Sequence, residues 1–207
     1  MLDETVFHQD IWRSVLLLLL ASLVIMGSPG PSTISATAVG AAYGFRRSLV
    51  YVGGLILGTT MVLVAVAVGV VTILLSIPHG GPALAIVSAS YIGYLALRIA
   101  TAPPLADRNA EVTAPAFAGG FLLAIANPKA YLAIAGVFAG TTIFADHTLD
   151  AAVKTALLGA MIVAIHLGWL LAGASLSRLL RDPVISRAVN ISLAATLIAS
   201  TALALLR

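Results

Sequence analysis

The sequence contains no cysteine, which excludes disulfides, thiol catalysis and cysteine-based metal sites. Charge is scarce too: 9% of residues are Asp, Glu, Lys or Arg, against roughly a quarter in a soluble domain. None of the eight acidic residues falls clearly inside a hydrophobic run; all are expected at the N-terminus or in loops. The longest polar stretch runs only from Ala102 to Ala114, too little for a soluble catalytic domain. There is no Gly-x-x-x-x-Gly-Lys-Ser/Thr loop, hence no ATP motor. Neither a His-Glu-x-x-His zinc site nor a Gly-x-Ser-x-Gly nucleophile elbow is present. The net charge of +3 comes from scattered basic residues without a patch or an aromatic platform, which speaks against nucleic acid. Neither enzyme activity nor a cofactor is expected.

What remains is hydrophobic sequence: 60% of the residues are apolar and the mean hydropathy is +1.08. A spanning helix needs about 20 such residues. Six runs qualify, roughly Ile11–Val39, Leu49–Ile77, Pro82–Ala100, Pro115–Phe144, Ala151–Leu176 and Val184–Leu206. The expectation is an all-α integral membrane protein of about six transmembrane helices, folded as a single membrane domain over residues 1–207. The N-terminus, MLDETVFHQDIWR, lacks the basic start of a secretory signal, so the first run reads as a retained helix. Loop cations set orientation. Arg46, Arg47, Arg98, Arg108, Arg178, Arg181 and Arg187 fall on one side, and Arg13, Lys154 and Arg207 on the other. The richer side is expected to be cytoplasmic, which puts both termini and the loops around His79 and Asp146/Asp150 outside.

Two runs are interrupted. Met26-Gly27-Ser28-Pro29-Gly30-Pro31 breaks the first and Asn127-Pro128-Lys129-Ala130 the fourth, with Pro29 and Pro128 99 positions apart. Proline removes a backbone donor, and lipid offers no water in its place. Such breaks persist at membrane depth where the freed groups are buried in protein or line a cavity. Three crossings per half put the halves, about 11–100 and 115–206 around a polar linker at 101–114, in opposite orientation. That is a 3+3 inverted repeat with helices 1 and 4 broken at the proline motifs, and paired breaks of this kind point to a transporter's substrate site.

The candidate substrate-binding residues follow from the breaks: Pro29, Gly30, Pro31, Ser32, Asn127, Pro128 and Lys129. Carbonyls near Ile25 and Gly27 lose their helical partners, Ser28, Ser32 and Thr33 place hydroxyls beside the gap, and a helix starting near Ser32 would turn its positive end toward a carboxylate. Lys129 lies near the middle of its run, where charges are costly and usually functional. It can bind a carboxylate or release a proton; the alternative is snorkelling along its own stem. His166 is a candidate proton relay, or else a structural hydrogen-bonder. Trp169 reads as packing or an interfacial anchor. The pairs Gly40/Gly44, Gly54/Gly58 and Gly136/Gly140 are assigned to helix packing, and Arg46 and Arg47 to anchoring the cytoplasmic turn. With no buried acid to match a cationic side chain, neutral substrates are favoured. Export of a metal or other small ion, or a scaffold subunit without transport, are the other readings; the missing Cys, buried acid and His cluster disfavour the first.

The two motifs together resemble those of the LysE/RhtB family of amino-acid exporters. Pro29-Gly30-Pro31 is followed by Gly40, Gly44, Arg46 and Gly53, like the family's pattern after its first helix. Gly120-Phe121 is followed by Asn127-Pro128-Lys129-Ala130, close to its Asn-Pro-Lys signature, and Tyr91 to Leu95 is similar to the segment closing its third helix. The chain departs from the pattern at Ser48, Ser32 and Ala96. The resemblance implies a secondary transporter in a prokaryotic inner membrane that exports amino acids, driven by a proton gradient or the membrane potential. Its implied partners are the amino acid, a coupling proton and the bilayer, with a homodimer also open.

Overall fold

Prolines start helices in this chain. Pro31, Pro128 and Pro183 are each the first residue of a helix, where the missing N–H has no intrahelical partner to lose and the fixed φ suits the first turn. The computed structural model describes residues 2–69, 86, 89, 90, 92–94, 96, 97, 100, 101, 115–176 and 182–205, the side chains of 2–10, 176, 183, 186, 197, 200, 201 and 203–205 excepted. Among these, seven helices follow one another: α1 (Leu2–Ile25), α2 (Pro31–Tyr43), α3 (Phe45–Ala67), α4 (Phe117–Ile125), α5 (Pro128–Ala139), α6 (His147–Leu176) and α7 (Pro183–Leu205). The all-helical expectation holds for the described residues. Most of the third run, the linker at 102–114, the loop around His79, and Arg98, Arg108, Arg178, Arg181 and Arg207 lie outside them.

Two of the helices are long and apolar enough to cross a membrane, α3 and α6 over His147–Ser175. A third span is available if α4 and α5, bent by 60° at their break, count as one. At 23 residues α3 is about 35 Å long, enough for a hydrocarbon core of about 30 Å. The outward faces fit that setting: on α1, Trp12, Leu16, Leu17, Leu20, Leu23 and Val24 are all exposed. A soluble protein would hide such a stripe.

The centre of the molecule is α2. Its residues Pro31 to Ala42 are all buried, and most are Ser, Thr, Ala or Gly, which let neighbouring helices come close on every side. Its hydroxyls are satisfied on the helix itself: Ser35 Oγ donates to Ser32 O (2.9 Å) and Thr37 Oγ1 to Thr33 O (3.0 Å). One residue, Gly44, turns α2 into α3 with φ 76° and ψ 169°, a conformation that other residues rarely adopt. Ser48 holds this corner, its buried hydroxyl lying 2.9 Å from Val39 O and 2.7 Å from Gly44 O. Arg46 and Arg47 stand exposed beside it.

Glycines set two close crossings. Gly54 and Gly58 of α3 face the backbone of Phe117 and Phe121, while Gly120 of α4 faces that of Tyr51 and Leu55. Residue numbers rise together along this contact, so α3 and α4 run parallel. Gly40 of α2 and Gly173 of α6 make the second crossing, against Leu170 and Thr37. The packing assignment thus holds for Gly40, Gly54 and Gly58. It fails for Gly44, which is a corner, and for Gly136, where an added Cβ would meet nothing within 4 Å; Gly140 meets only its own helix. Two apolar clusters fill the interior, one around Tyr51, Leu55, Leu123 and Leu170, the other around Leu18, Leu63, Ile134 and Leu158.

One reading is extended and one corrected. The acidic N-terminus is helical from Leu2, so Asp3, Glu4 and Asp10 lie on α1. Asp150, read as a loop residue, and Lys154, counted with the outer-side cations, are buried in the first turns of α6, where they pair at 2.7 Å. Their surroundings explain the burial. Asp150 Oδ1 accepts from the amides of Ile143 (2.7 Å) and Phe144 (3.1 Å), and Lys154 Nζ donates to Phe138 O (2.8 Å) and Thr141 O (3.0 Å). Each charge is compensated by its partner and by backbone dipoles, and the cluster ties the end of α5 to the start of α6.

Candidate functional site

A break in a buried helix leaves carbonyls that must find donors. At the first break Met26 and Gly27 N–H still reach Ser22 O, at 2.9 and 3.2 Å. Beyond them the chain leaves the helix. The carbonyls of Ile25 and Gly27, expected to lose their partners, are both satisfied by side chains: Ser28 Oγ donates to Ile25 O (2.8 Å), and the Trp169 indole donates to Gly27 O (3.0 Å) from α6. Trp169 therefore does more than pack. At the start of α2, Gly30 N–H donates to Thr33 Oγ1 (2.9 Å), and the first intrahelical bond runs from Ile34 N to Gly30 O (2.8 Å). The amides of Ser32 and Thr33 precede that bond and belong to the positive end of the helix.

The second break is held differently. Asn127 is the N-cap of α5, its side-chain oxygen accepting from Lys129 N–H (3.1 Å), and Tyr131 Oη–H donates to Ile125 O across the gap (2.9 Å). The Asn127 amide nitrogen is left free to donate to Ser32 Oγ (2.9 Å) at the other break, and both side chains are buried.

Lys129 completes the connection. Its ammonium donates to Ser28 O (2.6 Å), Ser28 Oγ (2.8 Å) and Pro29 O (3.0 Å). An ammonium has three donors, and all three are engaged by the opposite break. Gly30 makes room for this. A Cβ there would lie 2.6 Å from Lys129 Cδ and 2.8 Å from Nζ, so the lysine stem crosses the break over a bare glycine. The two breaks, far apart in sequence, thus meet as one polar junction with two helix N-termini.

A cavity opens from this junction, with about 420 Å³ of unfilled space counting its mouth. Of the candidate residues, Gly30, Ser32, Asn127, Lys129 and His166 line it; Pro29, Pro31 and Pro128 shape the breaks and are not part of its wall. The rest of the wall includes Met26, Ala133, Ile134, Ile162 and Ile165, together with Thr33 and Thr59. None of the described lining residues is acidic, and nowhere among the described residues do three His, Cys, Asp or Glu side chains gather. His166, 4% exposed, has Nδ1 2.8 Å from Ile162 O. Its Nε2 and the Thr59 hydroxyl, both buried, have no partner among the described residues. Thr59 escaped the sequence reading because a hydroxyl in an apolar run carries no signal of its own.

The chain has relatives among known proteins. The family profile described as LysE type translocator matches residues 23–207. The cysteine/O-acetylserine efflux protein of Salmonella typhimurium is 32% identical over 180 residues, 86% of this chain and 90% of that protein. The protein of the same description from Escherichia coli is 31% identical over the same shares. No solved structure gives a significant match.

Proposed function

This chain belongs to the LysE type translocator family, and from that premise we propose that it is a secondary transporter exporting small neutral amino acids from the cytoplasm. The observation that carries the proposal is the Lys129 junction. A cation from one broken helix is bonded into the other break, at the wall of a cavity flanked by two helix N-termini. Such a place suits a carboxylate. The relatives named as cysteine/O-acetylserine efflux proteins point to small substrates, and the absence of acidic groups among the described lining residues favours neutral ones.

The junction suggests how binding couples to movement. A substrate carboxylate is a stronger acceptor than a carbonyl. When it takes donors from the Lys129 ammonium, Ser28 and Pro29 lose theirs, and the tie between the two breaks loosens. Substrate and opposite break compete for one cation, so occupancy shifts the balance between arrangements of the two halves. In this proposal the halves are a 3+3 inverted repeat, the chain sits multi-pass in the inner membrane of a prokaryote, and a proton gradient or the membrane potential drives export.

The test is efflux from proteoliposomes preloaded with labelled neutral amino acids, with a pH gradient and a potential imposed separately. The expected result is gradient-dependent efflux that Lys129→Ala abolishes while the protein still inserts. Unchanged efflux by a folded Lys129→Ala protein would remove the lysine from the mechanism. A folded wild type that moves no amino acid would overturn the exporter reading itself.

A further inference from the structure

The junction accounts for one end of an amino acid. A zwitterion also carries an ammonium, which must exchange its water for acceptors when it enters the cavity. No carboxylate lines the wall among the described residues, so the acceptors must be neutral. Most of the polar side chains of the wall are already engaged: Asn127 with Ser32 and Lys129, Thr33 with Gly30, Lys129 with the opposite break. Two atoms remain. His166 Nδ1 faces the Ile162 carbonyl, which can only accept, so Nδ1 carries a proton, and in the neutral ring Nε2 then turns out a lone pair. Thr59 Oγ1 has lone pairs as well. Both atoms are buried and unpartnered among the described residues, and both residues line the cavity. An orphaned buried acceptor is costly in a protein interior. Two of them, on different helices around one cavity, mark a place where donors arrive with a ligand.

We infer that His166 Nε2 and Thr59 Oγ1 receive N–H donors of the substrate's α-ammonium, opposite the Lys129 junction that takes its carboxylate. This deepens the exporter reading and rests on it. It gives the cavity two poles and suits it to small zwitterionic α-amino acids, since a cationic or anionic side chain would find no further partner among the described lining residues. His166 is then a binding residue and works as a neutral acceptor; an imidazolium at this place would repel the ligand.

The experiment uses full-length protein in proteoliposomes with labelled L-cysteine under reducing conditions. The competitor is 3-mercaptopropionate, which keeps the thiol and carboxylate and lacks the amine. His166→Phe and Thr59→Val remove the acceptors at similar shape. Each is expected to raise the KM for cysteine by about ten- to hundredfold, the worth of a hydrogen bond to a charged group. The inhibition constant of 3-mercaptopropionate should stay unchanged, and Thr59→Ser should restore the wild-type KM. Wild-type KM values in both variants, with Lys129→Ala still inactive, would overturn the ammonium assignment and leave the exporter reading standing. Equal weakening of cysteine and 3-mercaptopropionate would overturn it too, by showing that these residues hold the carboxylate end or only the shape. If His166→Phe does not fold, Thr59→Val decides alone.

Discussion

Gly30 is the residue whose substitution separates the lysine's position from the lysine's presence. A methyl group at this position would overlap Lys129 Cδ and Nζ. The colliding atoms belong to a flexible side chain, so Lys129 is expected to move while the backbone stays. Gly30→Ala should therefore insert and melt nearly as the wild type does, yet lose at least about tenfold in efflux, since one charged hydrogen bond is worth about 1.5–3 kcal/mol. A thermal shift assay beside the efflux assay checks this; wild-type efflux would show that the bare glycine face is not needed. At this scale the sequence was informative where a residue violates its surroundings. A lysine between apolar segments and a proline inside a long run are expensive enough to be noticed singly. Thr59 and Trp169 are not. A hydroxyl or an indole is common in apolar runs, and only the tertiary partners, an empty cavity wall for Thr59 and Gly27 O for Trp169, give them a role.

The helices meet by two different means, small residues at crossings and buried charge at a turn. At the α3–α4 crossing a side chain on Gly120 would run into the backbone of Tyr51 and Leu55, which cannot swing aside. Gly120→Val should force the helices apart, costing about 3 kcal/mol, the upper end of the usual range for overpacking. Gly136→Val, with nothing within 4 Å, should stay within about 0.5 kcal/mol of the wild type. Thermal or denaturant unfolding in detergent compares the two, and equal losses would dismiss the crossing as the reason for Gly120. The helix starts at Pro31 and Pro128 were legible, because proline acts locally, whereas the second run was drawn to Ile77, past the end of α3 at Ala67, and the third lies mostly outside the described residues. Glycine spacing was not a sufficient guide: Gly40, Gly54 and Gly58 contact neighbouring helices, whereas Gly44 and Gly136 have the same spacing and do not. The Asp150–Lys154 pair was legible in principle, since i,i+4 partners of opposite charge share a helix face. It was missed because α6 begins at His147, before the hydrophobic run does.

At the scale of the whole molecule, helix directions constrain which ends share a side of the membrane. Parallel packing of α3 on α4 turns the starts of both helices toward the same end of the molecule, with Phe117 lying beside Gly54, part-way along α3. Since Gly44 joins α2 to α3, Arg46 and Arg47 lie at that end also. The turn between α5 and α6, tied by Lys154 to Phe138 and Thr141, follows α4 and α5 away from it. Asp146 should then face the side opposite Arg46. With Lys154 buried in its ion pair, the cations assigned to the outer loops are fewer than the loop count supposed, which strengthens the bias toward a cytoplasmic Arg46 end. The cysteine-free sequence makes this directly measurable, because a single introduced thiol has no background. In intact cells a membrane-impermeant maleimide should label Asp146→Cys and leave Arg46→Cys unlabelled until the membrane is opened. Both sites are exposed, so access to the reagent is limited by the bilayer alone. The reverse pattern would invert the orientation. Labelling of both in intact cells would place the two turns on one side and dismantle the alternating topology on which the inverted repeat depends.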